Sequence, residues 1–313
     1  MDEAPTGALR CGMQVTLYRL VWMAVLLVLG TTASAQKIAP TQANVPYGTH
    51  PRQVLDFYQA PGDQPTPVIF NIHGGGWMSG DKAPVGFVEY SLKAGISVVS
   101  INYRLIPQAK EMGVVPPVKA CLEDAVRALQ FVRHHATQWN LDKTRIVGCG
   151  GSAGGFSTLY LALSPDMAVR NAPDEVARES TRLQGALLFV PQTSLDPQQM
   201  RAWMPDITYG PHAFGLHNFD EFLKQRAQLL PEIAKISPYL LVSSDDPPLY
   251  LSYDSPVQMG QPSKDPTHSA NFGEGLAQAL RNAGVEFEFH YTGGPATKHA
   301  DGFAFLKDKL GVK

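Results

Sequence analysis

Ser152 stands in Gly150-Gly151-Ser152-Ala153-Gly154, a G-x-S-x-G pattern. The preceding Arg145-Ile146-Val147-Gly148 reads as a strand, and a helical pattern resumes through Leu159 and Leu163. A tight strand-to-helix turn lifts a serine hydroxyl off the sheet, and small flanking residues let the chain fold back on itself. The Ala153 amide then falls at a helix N-terminus, where unpaired N–H groups and the dipole favour negative charge. Such a serine could attack an acyl carbonyl. Gly148-x-Gly150-x-x-Ala153 also fits a dinucleotide fingerprint. That reading needs a second strand ending in an acid some 20 residues on. Asp166 and Asp174 are near enough, but Ser164-Pro165-Asp166 is no strand end.

His73-Gly74-Gly75-Gly76-Trp77 directly follows the apolar strand run Val68 to Ile72. Acyl transfer develops an oxyanion that must meet N–H donors already in place. Successive glycines let bare backbone approach a ligand. Two glycine-rich signals, each beginning where a strand ends, are expected on one edge of one sheet.

The elements that must position these groups alternate. Ile96 to Ile101 reads as a strand. After Pro116-Pro117, Val118, Cys121, Leu122, Ala125, Leu129 and Val132 mark one helix face. Strands follow at Gly185 to Val190 and Leu249 to Tyr253, then a helix over 269–283. Val285, Phe287, Phe289 and Tyr291 alternate with Glu286, Glu288 and His290, the period of a strand with one wet face. A last short helix carries Phe303, Phe305 and Leu306. This alternation predicts an α/β fold: a mostly parallel sheet covered by helices on both faces, with ligands beyond the carboxyl ends of its strands. Residues 164–183 are polar and read as a surface excursion. Residues 191–247 interrupt the rhythm with Trp203, Tyr209, Phe214, Phe219 and Phe222. An insertion of that size suggests a lid or cap, or a helical decoration with its own small core.

The 313 residues are 44% hydrophobic and 17% charged, with a formal charge of -2. That composition is globular, and no basic stripe offers nucleic acid a footprint. Residues 1–35 read as a secretory leader: Arg10 and Arg19, an apolar run from Leu20 to Gly30, then Ala33-Ser34-Ala35. The predicted cut follows Ala35 and leaves 36–313 as one domain, secreted or periplasmic. Met13 is a second candidate start, and an uncleaved anchor is the alternative. No later stretch is long and apolar enough to span a bilayer. Beyond the leader only Cys121 and Cys149 remain, expected as buried free thiols rather than a bridge. No metal-ligand spacing is present, and His134-His135 and the pair His212, His217 read as surface residues.

With these motifs in hand, the sequence resembles the α/β-hydrolase serine esterases. It is most similar to the hormone-sensitive-lipase-like group and the feruloyl/acetylxylan esterase-like (BD-FAE-like) branch. Val68 to Lys82, Ser100 to Leu105, Arg145 to Gly155 and Asp245-Asp246-Pro247-Pro248 carry the likeness, which spans roughly residues 50 to 310. The resemblance implies Ser152 as nucleophile and the amides of Gly75, Gly76 and Ala153 as the oxyanion hole. It implies no cofactor.

A serine needs a base, and the base an orienting acid, in the chain order Ser, acid, His. After Ser152 come His268, His290 and His299. His290 belongs to an alternating strand, and His268 lies inside the expected acid loop. His299, in His299-Ala300-Asp301-Gly302-Phe303, is similar to the family's catalytic-histidine segment and is the expected base. The acid departs from the family's H-G-x-x-D-P pattern. Asp265 keeps the D-P dipeptide ahead of a helix and is favoured; Asp254, at the strand end, is the alternative. Trp77 and the aromatic residues of 191–247 are expected to line the acyl or alcohol pocket. The expectation is a serine carboxylic-ester hydrolase for short-chain or carbohydrate-linked acyl esters. An amidase of arylformamidase or peptidase type, and a non-catalytic binding protein on the same scaffold, are the alternatives.

Overall fold

The computed structural model describes residues 38–313, so the leader expected over 1–35 lies outside the described residues. Within them eight strands form a sheet: β1 (Gln42–Pro46), β2 (Val54–Tyr58), β3 (Thr66–Ile72), β4 (Ser97–Ile101), β5 (Leu141–Gly151), β6 (Ala186–Phe189), β7 (Leu249–Ser252) and β8 (Phe287–His290). Their spatial order is β1-β2-β4-β3-β5-β6-β7-β8. The β1–β2 and β2–β4 pairs are antiparallel, and every pair from β4 to β8 is parallel. The helices are α1 (Val88–Lys93), α2 (Ile106–Glu111), α3 (Val118–His134), α4 (Ala153–Leu163), α5 (Pro197–Trp203), α6 (Phe219–Ile236), α7 (Pro238–Leu241), α8 (Ala270–Ala283) and α9 (Gly302–Lys309).

Every residue of β4 is buried, as a parallel strand covered on both faces requires. Its two serines are satisfied: the Ser97 hydroxyl accepts from the Ala60 amide, and Ser100 donates to the Lys82 carbonyl. The expected face of α3 is buried at Val118, Cys121, Leu122, Ala125, Leu129 and Val132. Helix α8 starts where the Ser269 side chain accepts from the Asn271 amide, and it stops at Gly284 with φ 72°. Cys121 and Cys149 are buried free thiols, and burial pushes the Cys149 thiol up to about 12.

Register brings the glycine-rich turns together. Ile72 of β3 pairs with Gly150 of β5, and Gly151 pairs with Phe189 of β6. The chain after β3, the chain after β5 and the chain after β6 therefore leave the sheet side by side.

Two expectations about the periphery change. The wet face predicted for β8 holds at His290, which is exposed, but Glu288 is buried because it takes a histidine as partner. In the 191–247 connection Phe214, Phe219 and Phe222 pack on one another, with ring centroids 5.1 and 5.9 Å apart. They are buried in the hydrophobic cluster that runs on into the main core rather than walling an open pocket.

Candidate active site

Ser152 is the hinge between β5 and α4, at φ 52° and ψ −127°. A non-glycine residue there is strained by about 1–3 kcal/mol. The surroundings hold it: the Ser152 amide donates to the Phe189 carbonyl at 2.9 Å, and its carbonyl accepts from Phe156 at 2.9 Å. The neighbouring Gly154 is compulsory, because a Cβ there would lie 2.1 Å from the Ile72 carbonyl oxygen. That close approach of α4 to the end of β3 sets the serine beside the glycine loop.

The loop itself runs Gly75 at φ 105°, Gly76 at 61° and Trp77 at 58°. The Gly75 carbonyl accepts from the amides of Met78 (3.0 Å) and Ser79 (3.1 Å). This fixes the Gly75–Gly76 peptide and turns the Gly76 N–H away from the turn. Among the described residues the amides of Gly75, Gly76 and Ala153 donate to no protein acceptor. They are three donors free for a ligand, one of them at the first residue of α4. His73 anchors the loop. Its ring stacks on Tyr103 at 4.4 Å, Nδ1 lies 2.7 Å from the Gly74 carbonyl, and Nε2 lies 3.5 Å from Arg52 Nη2. A donor and an acceptor on opposite nitrogens specify the neutral Nδ1–H form. Burial supports it by lowering the imidazole pKa.

Ser152 Oγ lies 2.9 Å from His268 Nε2, and His268 Nδ1 lies 2.8 Å from Asp265 Oδ2. The carboxylate is acceptor-only, so Nδ1 carries the proton and Nε2 offers its lone pair to the hydroxyl. Asp265 and His268 share the 3-10 turn Pro266–His268, which the Asp265 side chain caps by accepting from the His268 amide. Burial would raise the Asp265 carboxyl, but the hydrogen bonds and charge of His268 outweigh it and hold the pKa below the ordinary value. The turn is tethered from beneath. Gln192, fully buried, donates from Nε2 to the Thr267 carbonyl at 2.7 Å. Beside the turn opens a cavity of about 510 Å³ lined by Asp254, Gln258, Gln261, Ser263, Asn271 and His268.

The expectations for His299, Trp77 and His212 are corrected by this geometry, and the alternative acid Asp254 is not joined to either histidine. His299 makes no hydrogen bond to Ser152. Its Nδ1 lies 2.5 Å from Glu288 Oε1, its Nε2 3.5 Å from Asp308 Oδ2, and its amide donates to Glu288. The imidazole that meets Ser152 is His268. Spacing concealed it, since a family in which the base follows one helix and one strand after the acid directs attention to His299. The available signal was Asp265-x-x-His268, one helical turn that can pair a carboxylate with an imidazole while keeping the order Ser, acid, His. Asp254 lines the cavity but bonds neither histidine through its carboxylate. Trp77 is fully buried and cannot wall a pocket: its left-handed backbone turns the indole inward, where Nε1 donates to Ser157 at 3.1 Å. His212, expected at the surface, is half-buried and lies 3.0 Å from the Gly76 carbonyl.

A serine at the strand-to-helix bend of a sheet in this order, faced by a glycine loop from the adjacent strand, defines the α/β-hydrolase fold. The chain belongs to the BD-FAE family, whose sequence profile matches residues 55–262. That match ends just short of Asp265. Among curated relatives, the carboxylic ester hydrolase LipN of Mycobacterium tuberculosis is 27% identical over 251 residues, covering 75% of this chain and 58% of LipN. The versiconal hemiacetal acetate esterase of Dothistroma septosporum is 34% identical over 110 residues, 34% of this chain and 31% of that protein. The chain thus spans less than two thirds of the length of these relatives. Among solved structures, an acetyl ester-xyloside bifunctional hydrolase from Caldicellulosiruptor lactoaceticus matches at 25% identity with TM-score 0.58, over 82% of this chain and 81% of that one. The Thermogutta terrifontis esterase Est2 matches at 25% identity and TM-score 0.59, over 87% and 88%.

Proposed function

We propose that this chain is a serine carboxylic-ester hydrolase. The observation that carries the reading is the continuous path Ser152 Oγ, His268 Nε2, His268 Nδ1, Asp265 Oδ2, with steps of 2.9 and 2.8 Å. Membership of the family and the esterase relatives support it.

His268 removes the Ser152 proton as Oγ bonds to the ester carbonyl carbon, and the carbonyl π electrons move onto oxygen. The amides of Gly75, Gly76 and Ala153 receive that oxyanion, each contributing about 3 kcal/mol of barrier reduction. As the tetrahedral intermediate collapses, the bond to the alkoxy oxygen breaks and His268 delivers its proton to the leaving alcohol. Water, deprotonated by the same imidazole, then adds to the acyl-enzyme. Collapse of the second intermediate breaks the bond to Oγ, reprotonates Ser152 and releases the acid. Asp265 keeps Nδ1–H oriented and stabilises the imidazolium.

The substrate reading is a short-chain or carbohydrate-linked acyl ester. The cavity beside His268 sets the side chains of Gln258, Gln261 and Ser263 among the apolar Val190, Pro256 and Pro262, and those polar groups could bond the hydroxyls of a hydrophilic alcohol. Turnover of p-nitrophenyl acetate and of an acetylated xylo-oligosaccharide, both abolished by Ser152→Ala with the circular dichroism spectrum retained, is the expected result. Undiminished turnover by Ser152→Ala removes the mechanism, and a preference for p-nitrophenyl laurate removes the substrate class. The reading includes export, supported by the basic flank, apolar run and Ala33-Ser34-Ala35. N-terminal sequencing of the exported protein should begin at Gln36.

A further inference from the structure

Three consecutive peptide planes of the glycine loop are each pinned from a different place in the chain. The Gly75 carbonyl accepts from Met78 and Ser79 within the loop, and the Trp77 carbonyl accepts from Ile106 at 2.9 Å. Between them, the Gly76 carbonyl has one hydrogen-bond donor among the described residues, His212 Nε2 at 3.0 Å. That donor comes from the 3-10 turn Pro211–Phe214, inside the long connection between β6 and β7. The peptide it holds is the one least able to hold itself. Gly76 has no Cβ to restrict rotation, and the next residue, Trp77, sits at a positive φ that an unrestrained chain would leave.

The histidine is built into this position. Its ring centroid lies 4.9 Å from that of Tyr209 and 6.1 Å from that of Trp77. Burial lowers its imidazole pKa, which favours the neutral ring. A neutral ring that faces a carbonyl through Nε2 must carry its proton there.

We propose that His212 is a positioning residue of the oxyanion hole: Met78 and Ser79 hold the Gly75–Gly76 plane that carries the Gly76 amide, and His212, from the β6–β7 connection, holds the next plane, Gly76–Trp77, so that Gly76 cannot rotate and that amide stays in register with the developing charge. The inference rests on the esterase reading. It means that the connection contributes to transition-state stabilisation without touching substrate, and that a change in its seating is felt first in kcat.

The test compares His212→Phe, which keeps an aromatic ring against Trp77 and Tyr209 but has no donor, with His212→Gln, whose amide nitrogen restores one. Both are assayed on the full chain with p-nitrophenyl acetate and with a trifluoromethyl ketone that forms an oxyanion-bearing hemiketal on the serine. His212→Phe is expected to lose about 10- to 100-fold in kcat, the range for a compromised oxyanion donor, with KM changed by less than about threefold. Inhibitor affinity should fall by the same factor as kcat/KM. His212→Gln should return to within about fivefold of wild type on both readouts. A His212→Phe enzyme with wild-type kcat overturns the proposal. So does one that loses kcat but binds the ketone as wild type does, or a pair of variants equally impaired while folded. If His212→Phe does not fold, His212→Gln decides alone: wild-type rate and inhibitor affinity support the proposal, and a folded but inactive variant overturns it. Activity of wild type with none in Ser152→Ala separates this outcome from failure of the esterase reading. A wild type that turns over no ester overturns both.

Discussion

Asp265 and His268 lie three residues apart on one short turn, with Asp265 Oδ2 2.8 Å from His268 Nδ1, and the same carboxylate also accepts the His268 amide. The proposed acid and base are thus carried by four consecutive residues. Their mutual geometry is local and survives wherever the turn survives, but the reach to Ser152 depends on what seats the turn.

The acid assignment is tested by comparing two substitutions. Asp265→Asn removes the acceptor that fixes the imidazole tautomer and should lower kcat by about a thousandfold. Asp254→Asn, whose carboxylate bonds neither histidine, should stay within about twofold of wild type. Steady-state kinetics on p-nitrophenyl acetate decide it, and the reverse ranking moves the acid role to Asp254.

Gln192 is the tether that seats the turn. Gln192→Met keeps the length of the side chain and removes the donor to the Thr267 carbonyl. It should lower kcat about tenfold with KM little changed, because the base is left misaligned rather than lost. A variant with unaltered kcat would show that the turn holds itself.

His299 should prove structural. It pairs with buried Glu288, so His299→Ala removes the imidazole from one carboxylate oxygen while the residue's own amide still donates to the other, and it should cost about 1–3 kcal/mol in urea denaturation. Its kcat should remain within about threefold of wild type. Full stability combined with loss of turnover would return the catalytic role to His299.

Much of this was legible in the sequence, and the failures have physical causes. The strand and helix periods of β3, β4, α3 and α8 follow from alternation and from one-sided burial, and both are local properties. Ser152 and the glycine loop were legible because backbone strain and close approach demand particular small residues at particular offsets, as the 2.1 Å approach at Gly154 illustrates. His299 was misjudged because the choice between two loop histidines turns on tertiary partners. Glu288 lies on a strand face that the alternation predicted to be wet, and nothing local announces that it is turned inward to receive an imidazole. Trp77 was misread for a similar reason: an aromatic residue beside a glycine loop suggests a pocket wall, whereas a φ of 58° sends it into the core. His212 was invisible because its partner is a backbone carbonyl more than a hundred residues away.

The pH dependence of stability follows from the two half-buried imidazoles His73 and His212. Burial lowers the pKa of His73 and of His212. The unfolded chain takes up these protons near the ordinary imidazole value of about 6.5. The folded chain takes them up only at lower pH, so unfolding binds protons in that interval and stability falls as pH drops. The contribution is complete above the unfolded value and is lost as pH passes down through the folded ones. Thermal midpoints should therefore decline from pH 7.5 to 5.5, and less steeply in His212→Gln. A midpoint flat over that window, or a slope unchanged by the substitution, would contradict the assignment of neutral rings.

The central claim is that His268 activates Ser152. Fluorophosphonate labelling of wild type, His268→Ala and His299→Ala, followed by peptide mass spectrometry, tests it most directly. The account predicts rapid modification of the peptide containing Ser152 in wild type and His299→Ala, with labelling slowed by at least about a thousandfold in His268→Ala. Wild-type labelling in His268→Ala, or its loss in a folded His299→Ala, would contradict it.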